Sequence, residues 1–164
     1  MRYLITFACY GAHLHGGASG SVDRRHKQFG SRLLEANPQR ESAETSSMQQ
    51  APYALDQEAR SAVLEALREV CLHRGWGLLA AHVRTNHVHV ILEAEVPPER
   101  IMNALKSYAS RALNRRGCDG SNRRRWAHHG STRWLWKDQD VRKAIHYVVH
   151  EQGELMAVFC GDVP

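Results

Sequence analysis

Two apolar runs, WGLLAAHVR (76–84) and NHVHVILEA (86–94), follow each other with only a tight turn near Thr85 and Asn86 between them. Short aliphatic and β-branched runs joined this closely form an antiparallel strand pair. What flanks that pair fixes the architecture further. Before it, LDQEARSAVLEALREVCLHRG (55–75) carries an apolar stripe of Ala59, Val63, Leu67, Val70 and Cys71 at helical spacing. Asp56 is placed to cap this helix and Gly75 to end it. After it, Pro97 and Pro98 open a second helix that runs to Gly117. RYLITFACY (2–10) and STRWLWK (131–137) read as further strands, and DQDVRKAIHYVVHEQG as a last helix from a capping Asp138 to Gly153. The order β-α-β-β-α-β-α predicts an α+β fold, a ferredoxin-like split βαβ sandwich with an antiparallel sheet. Its helices lie on one face and leave the other for a ligand, with an additional C-terminal helix. The whole chain, 1–164, reads as one domain with an irregular insertion at about 11–53 and one short helical turn around Arg32 to Leu34.

Composition narrows the class. Hydrophobic residues make up 43% and charged residues 24%, as in a globular protein and unlike a disordered or fibrous one. No apolar run approaches the roughly 20 residues of a membrane span. The opening MRYLITFACYGAH has neither the long apolar stretch nor the cleavage site of a signal peptide. Cys9, Cys71, Cys118 and Cys160 are scattered without a Cys-x-x-Cys pair, which argues against a zinc ribbon and suits a reducing compartment. These features place the protein in the cytoplasm.

Charge is uneven. Between Lys106 and Lys143 stand eleven basic residues against Asp119, Asp138 and Asp140, a local excess of +8 in a chain of net charge +5. A basic block beside a faintly acidic remainder fits a polyanion partner, most often nucleic acid, although a solvated basic face would look the same.

His87 and His89 interrupt the second strand two residues apart. Alternation puts both rings on one face, roughly 7 Å apart along the chain, with Val88 and Val90 facing the helices. Eleven histidines in 164 residues make one such pair expected by chance, and His13 and His15 in GAHLHGG form another among glycines. The strand distinguishes the first pair, because it holds two neutral imidazoles where they can share a divalent ion. A third ligand from another element would complete such a site.

A metal beside a basic groove suggests phosphodiester chemistry; no carboxylate cluster of the kind that holds paired metal ions is visible, and a tyrosine nucleophile is the other possibility. Helical phase separates the two candidates. Tyr108 falls on the edge of the stripe Ile101, Leu105, Ala109, Ala112 and reads as core. Tyr147 projects roughly 145° from the stripe Val141, Ile145, Val148, Val149, on the polar face, where it is either a half-exposed ring lying over the sheet or a hydroxyl presented for use.

At this point the chain resembles the single-tyrosine HUH transposases, the insertion-sequence-200-like and REP-associated enzymes. The residues concerned are RTNHVHVIL, HGSTRWLWKD and AIHYVVHEQGE, with RYLITFACYG and GSVDRRH near the start. The resemblance runs in order over nearly the whole chain. It implies a DNA transposase that nicks and rejoins single strands, often at hairpins. His87 and His89 would bind Mg²⁺ or Mn²⁺, and Tyr147 would form a 5′-phosphotyrosine. It also implies a homodimer, in some members with the tyrosine helix serving the partner. The family commonly has Gln or Asn four residues after the tyrosine as third ligand. Here that position is Glu151, about 40° from Tyr147 in helical phase, while Gln152 lies about 140° away. A straight helix favours Glu151 and the family favours Gln152, so both are candidates.

The basic block then gains a DNA-binding role through Lys106, Arg111, Arg115, Arg116, Arg123, Arg124, Arg125, Arg133 and Lys137. Trp126, Trp134 and Trp136 offer surfaces for base stacking, although alternation places Trp134 and Trp136 together and predicts core packing for that pair. Two other readings compete: a domesticated, non-catalytic binder of single-stranded or hairpin nucleic acid, and a protein that only binds a transition metal through its histidines.

Overall fold

A computed structural model describes residues 1–12, 48–117, 119–120 and 122–163. His13, His15, the GSVDRRH segment, the expected turn at Arg32 to Leu34 and Cys118 lie outside the described residues. The elements are β1 (Arg2–Cys9), α1 (Gln57–Arg74), β2 (Gly77–Val83), β3 (His87–Glu93), α2 (Pro98–Arg116), β4 (Trp126–Trp134), α3 (Asp138–His150) and β5 (Ala157–Cys160). The strands form one sheet in the order β4-β1-β3-β2-β5, with antiparallel neighbours throughout. The α+β, ferredoxin-like order expected from the sequence is therefore present, and β5 extends it beyond β2. No helix among the described residues is long and apolar enough to cross a membrane.

Local chemistry sets the helix ends. Asp56 accepts the Ala59 amide at 2.7 Å and caps α1. Gly75 and Gly117 close α1 and α2 in the left-handed region, at φ 68° and 69°, where a side chain would be strained. The β2–β3 turn is held from outside: the Thr85 carbonyl accepts from Leu55 and the Asn86 carbonyl from Cys9, each at 2.7 Å.

Two cores sandwich the sheet. Tyr3, Ile5 and Phe7 of β1 and Val88, Val90 and Leu92 of β3 pack beneath α1 and α2. Cys9 and Cys71 lie in this core as free thiols, and burial pushes both up to about 12, which suits inert small residues. On the opposite face, Val141, Ala144, Ile145, Val148 and Val149 of α3 pack on Ala80, Ile91 and Leu135. The face expected to stay open is thus partly covered, and the additional helix is what covers it.

Several boundaries differ from the sequence reading. β4 begins five residues earlier than expected, at Trp126, and ends at Trp134. Beyond it Leu135 turns into the second core, while Trp134 and Trp136 stack on each other at 5.1 Å and stay 40% and 68% exposed. The expected core packing of that pair fails because Trp134 sits at the end of an edge strand and Trp136 lies outside it. Trp126 is the packed tryptophan: its ring meets Phe7 at 5.1 Å and its indole donates to Ser110 Oγ at 2.9 Å, so it is not displayed for bases. Asp138 does not cap α3. Its carboxylate accepts from Arg2 at 2.6 Å, while Asp140 accepts the Lys137 amide at 3.3 Å. The helix stops at His150 instead of Gly153. Tyr108 is half-buried at the core edge, with Arg111 4.4 Å above its ring.

Gly130 marks a close approach of β4 to β1. A Cβ there would lie 2.5 Å from the Thr6 carbonyl oxygen and 2.7 Å from Met102 Sδ. Gly130→Ala is expected to destabilise the fold by about 1–3 kcal/mol. Denaturant unfolding beside the wild type checks this, and an unchanged midpoint would refute the close contact.

Candidate active site

Opposite residues of an antiparallel pair share a face. Thr6 of β1 pairs with His89 of β3, and His89 with His82 of β2, so the three form a row across the sheet on the α3 side. His87 stands beside them, paired with Ala8. The rings of His87 and His89 lie 4.9 Å apart, nearly perpendicular at 84°.

Hydrogen bonds orient both rings. His87 Nδ1 is 2.7 Å from Asn86 Oδ1, an acceptor, so Nδ1 carries the proton and Nε2 the lone pair. His89 has Thr6 Oγ1 at 2.8 Å from Nδ1 and Gln152 Oε1 at 3.0 Å from Nε2. Burial, and then the charge of His87, push His89 down to about 3, so its ring is neutral. Gln152 Oε1 is an acceptor, so Nε2 carries the proton here and Nδ1 accepts from the Thr6 hydroxyl; because that hydroxyl can also accept, it would support the other tautomer if Nε2 gave its lone pair to an ion.

α3 brings the tyrosine. Its apolar stripe faces the sheet and leaves Tyr147 at the helix edge, 43% exposed, with its ring 6.1 Å from the His89 ring of the same chain. The third-ligand candidates separate in space. Gln152 turns inward to His89, with its amide nitrogen 3.4 Å from the Tyr147 carbonyl. Glu151 turns outward to His146 Nδ1 at 2.8 Å and does not join the histidine pair. The helical-phase argument for Glu151 fails because α3 ends at His150. Glu151 is the cap at φ −111°, and Gly153 reverses the chain at φ 81°.

Among the described residues no three His, Cys, Asp or Glu side chains gather as a metal cluster. A shared ion would rest on two neutral imidazoles and the Gln152 amide oxygen. That set fits a divalent cation. With no anionic ligand of its own, the set suits an ion that also meets an anionic substrate oxygen.

The basic residues disperse. Lys106 reaches the carbonyls of Ala127 at 2.9 Å and His129 at 3.4 Å, and burial lowers its pKa. Arg116 pairs with Asp56 and Glu58, fastening α2 to the start of α1. Arg123 donates to Gln50 Oε1 and to the Ala51 carbonyl. Arg125 is only 4% exposed and faces Asp119 at 3.5 Å. These four make contacts that join elements of the protein to one another. Arg111 and Arg115 are exposed on α2, across the sheet from the histidine pair. Exposed Arg124 lies 5.9 Å over the Tyr10 ring. Arg133, opposite Leu4, shares the sheet face of His89, and exposed Lys137 stands at the start of α3.

Sequence reasoning missed His82, Thr6 and Asn86. The hairpin turn itself contained the signal for His82, since closing the chain at Thr85 and Asn86 sets it opposite His89.

The two-histidine strand thus faces a helix-borne tyrosine on this sheet. The family model described as "Transposase IS200 like" matches residues 49–139, more than half of the chain, and the chain belongs to that family. The match contains His87 and His89 and stops before Tyr147. Among solved structures, a REP-associated tyrosine transposase bound to a REP hairpin aligns with TM-score 0.50 and 13% identity. The alignment covers 92% of this chain and 65% of that one, so this chain spans less than two-thirds of the length of that relative. A putative transposase from Deinococcus radiodurans R1 aligns with TM-score 0.45 and 15% identity, over 87% of this chain and 85% of that one. At 13% identity the likeness to the REP-associated protein is one of fold. No curated protein matches.

The depressed His89 pKa has a sign that can be checked. The unfolded chain takes up a proton near pH 6.5, and the folded ring does so only near 3. The contribution is therefore intact above about pH 6.5 and is lost as pH falls from there toward about 3. Imidazole NMR titration should show His89 still neutral at pH 5; a midpoint near 6.5 would contradict its burial.

Proposed function

We propose that this transposase nicks and rejoins single-stranded DNA at hairpin-bearing sites, with Tyr147 as nucleophile and His87, His89 and Gln152 holding a divalent ion. The observation that carries this reading is the placement of Tyr147 over His89, whose Nε2 meets Gln152 Oε1. Hairpin DNA is chosen because the solved REP-associated relative is bound to one.

Bound Mg²⁺ or Mn²⁺ would supply Lewis-acid polarisation of the scissile phosphate. The Tyr147 hydroxyl oxygen bonds to phosphorus, and the bond from phosphorus to the 3′ oxygen breaks. The 5′ strand end stays on Tyr147 as a phosphotyrosine, the tyrosine proton passes to solvent, and the leaving 3′ oxygen takes one from solvent. Attack by a 3′-OH on that linkage reverses the exchange without an outside energy source, since one phosphodiester replaces another. Thr6 and Asn86 hold the two histidine rings in orientation. Arg133 on the sheet face of His89 and exposed Lys143, one helical turn before Tyr147, are the cations that would meet phosphates of a strand bound there.

A labelled hairpin oligonucleotide incubated with protein and Mn²⁺ is expected to give an SDS-stable adduct. Tyr147→Phe should abolish it, and His89→Ala should slow it by about 10²-fold or more. An adduct of undiminished yield in Tyr147→Phe would exclude this tyrosine. Salt-dependent hairpin binding with no adduct under either metal would favour the non-catalytic binder.

Calorimetry separates the two candidate ligands. Gln152→Ala should weaken Mn²⁺ binding by roughly 10–100-fold, whereas Glu151→Ala should leave it near the wild-type value. Equal losses from both would overturn the assignment of Gln152.

A further inference from the structure

His82 is the one histidine of the row that faces neither solvent nor the Tyr147 ring. It is fully buried at 0% exposure, and both ring nitrogens meet backbone. The Met156 amide donates to Nε2 at 3.2 Å, which makes Nε2 the acceptor and places the ring proton on Nδ1. Nδ1 then donates to the Val148 carbonyl at 2.8 Å. Val148 follows Tyr147 directly, and its carbonyl belongs to the last turn of α3, where carbonyls lack partners within the helix. A single imidazole thus caps the end of the tyrosine helix and grips the chain eight residues later. Gln152 lies between the two grips. Arg84, one residue past the end of β2, adds a third hold by donating to the Glu154 carbonyl at 2.8 Å.

We infer that His82 is a positioning residue, a two-ended clamp that fixes Tyr147 and Gln152 against the histidine pair of their own chain. It touches neither DNA nor ion in this role. It acts by setting the end of α3 and the turn 151–156, which has no regular secondary structure of its own. Neither Val148 nor Met156 can supply this hold by side chain, because both bonds are to their backbone. The inference rests on the proposed role of Tyr147 for its kinetic consequence, and on the hydrogen bonds alone for its structural one.

His82→Phe keeps an aromatic ring and deletes both bonds. His82→Asn keeps a donor near the Nδ1 position and loses the reach to Met156. In single-turnover adduct formation at saturating hairpin DNA, His82→Phe is expected to slow the reaction by roughly 10²-fold, the scale of an ångström-sized misplacement. Its hairpin Kd should stay within about twofold of wild type, since no DNA contact is removed. His82→Asn should recover most of the lost rate. Amide hydrogen exchange in 147–156 should rise at least about tenfold in His82→Phe, with the α1–α2 core unchanged.

A wild-type rate in His82→Phe, or an Asn variant as slow as Phe, overturns the clamp. If wild-type protein gives no adduct, the proposed function fails, and hydrogen exchange still decides the role of His82. If His82→Phe does not fold, exchange in His82→Asn decides: 152–156 should loosen while 147–149 stays protected, and an unchanged pattern refutes the inference.

Discussion

The register of the β2–β3 hairpin underlies the rest of the site. Side chains alternate along a strand, so a slip of one residue would turn His87 and His89 into the α1–α2 core and bring Val88 and Val90 to the tyrosine side. The turn at Thr85 and Asn86 prevents that slip, and its two carbonyls are bound by Leu55 and Cys9. Those bonds tie the turn to the approach to α1 and to the end of β1. The sheet is therefore locked in register at the end where the histidines emerge, and Thr6, His89 and His82 form a row because of it.

Much of this was legible in the sequence, for a physical reason. Apolar periodicity and capping residues are local signals, and they located α1, α2, the hairpin and the off-stripe Tyr147. The failures occurred where tertiary contacts override local pattern. Asp138 looks like a cap until Arg2 is seen beside it. Trp134 and Trp136 look like a core pair until Leu135 takes the interior position. β5 has only four residues, AVFC, and depends on the free edge of β2 for its bonds. Helical phase could not place Gln152, because a phase argument ends where the helix does.

The basic block shows a different limit. Its surplus charge is real, but a sequence cannot tell a cation that awaits a polyanion from one that fastens two elements. Lys106 joins α2 to β4, Arg116 joins α2 to α1, and Arg123 and Arg125 secure the loop before β4. In such a chain, counting arginines overstates the surface left for nucleic acid, and the remaining cations are divided between the two faces of the sheet.

The presence of two separate cores has a mechanical consequence. The larger one, beneath α1 and α2, holds Tyr3, Ile5, Phe7, Leu67 and Leu105, while the smaller one is α3 resting on Ala80, Ile91 and Leu135. They share no side-chain layer; only the sheet lies between them. Lifting α3 would wet a handful of aliphatic groups and break the buried His82–Val148 hydrogen bond without entering the layer beneath α1 and α2, so the tyrosine rides on the smaller of the two cores.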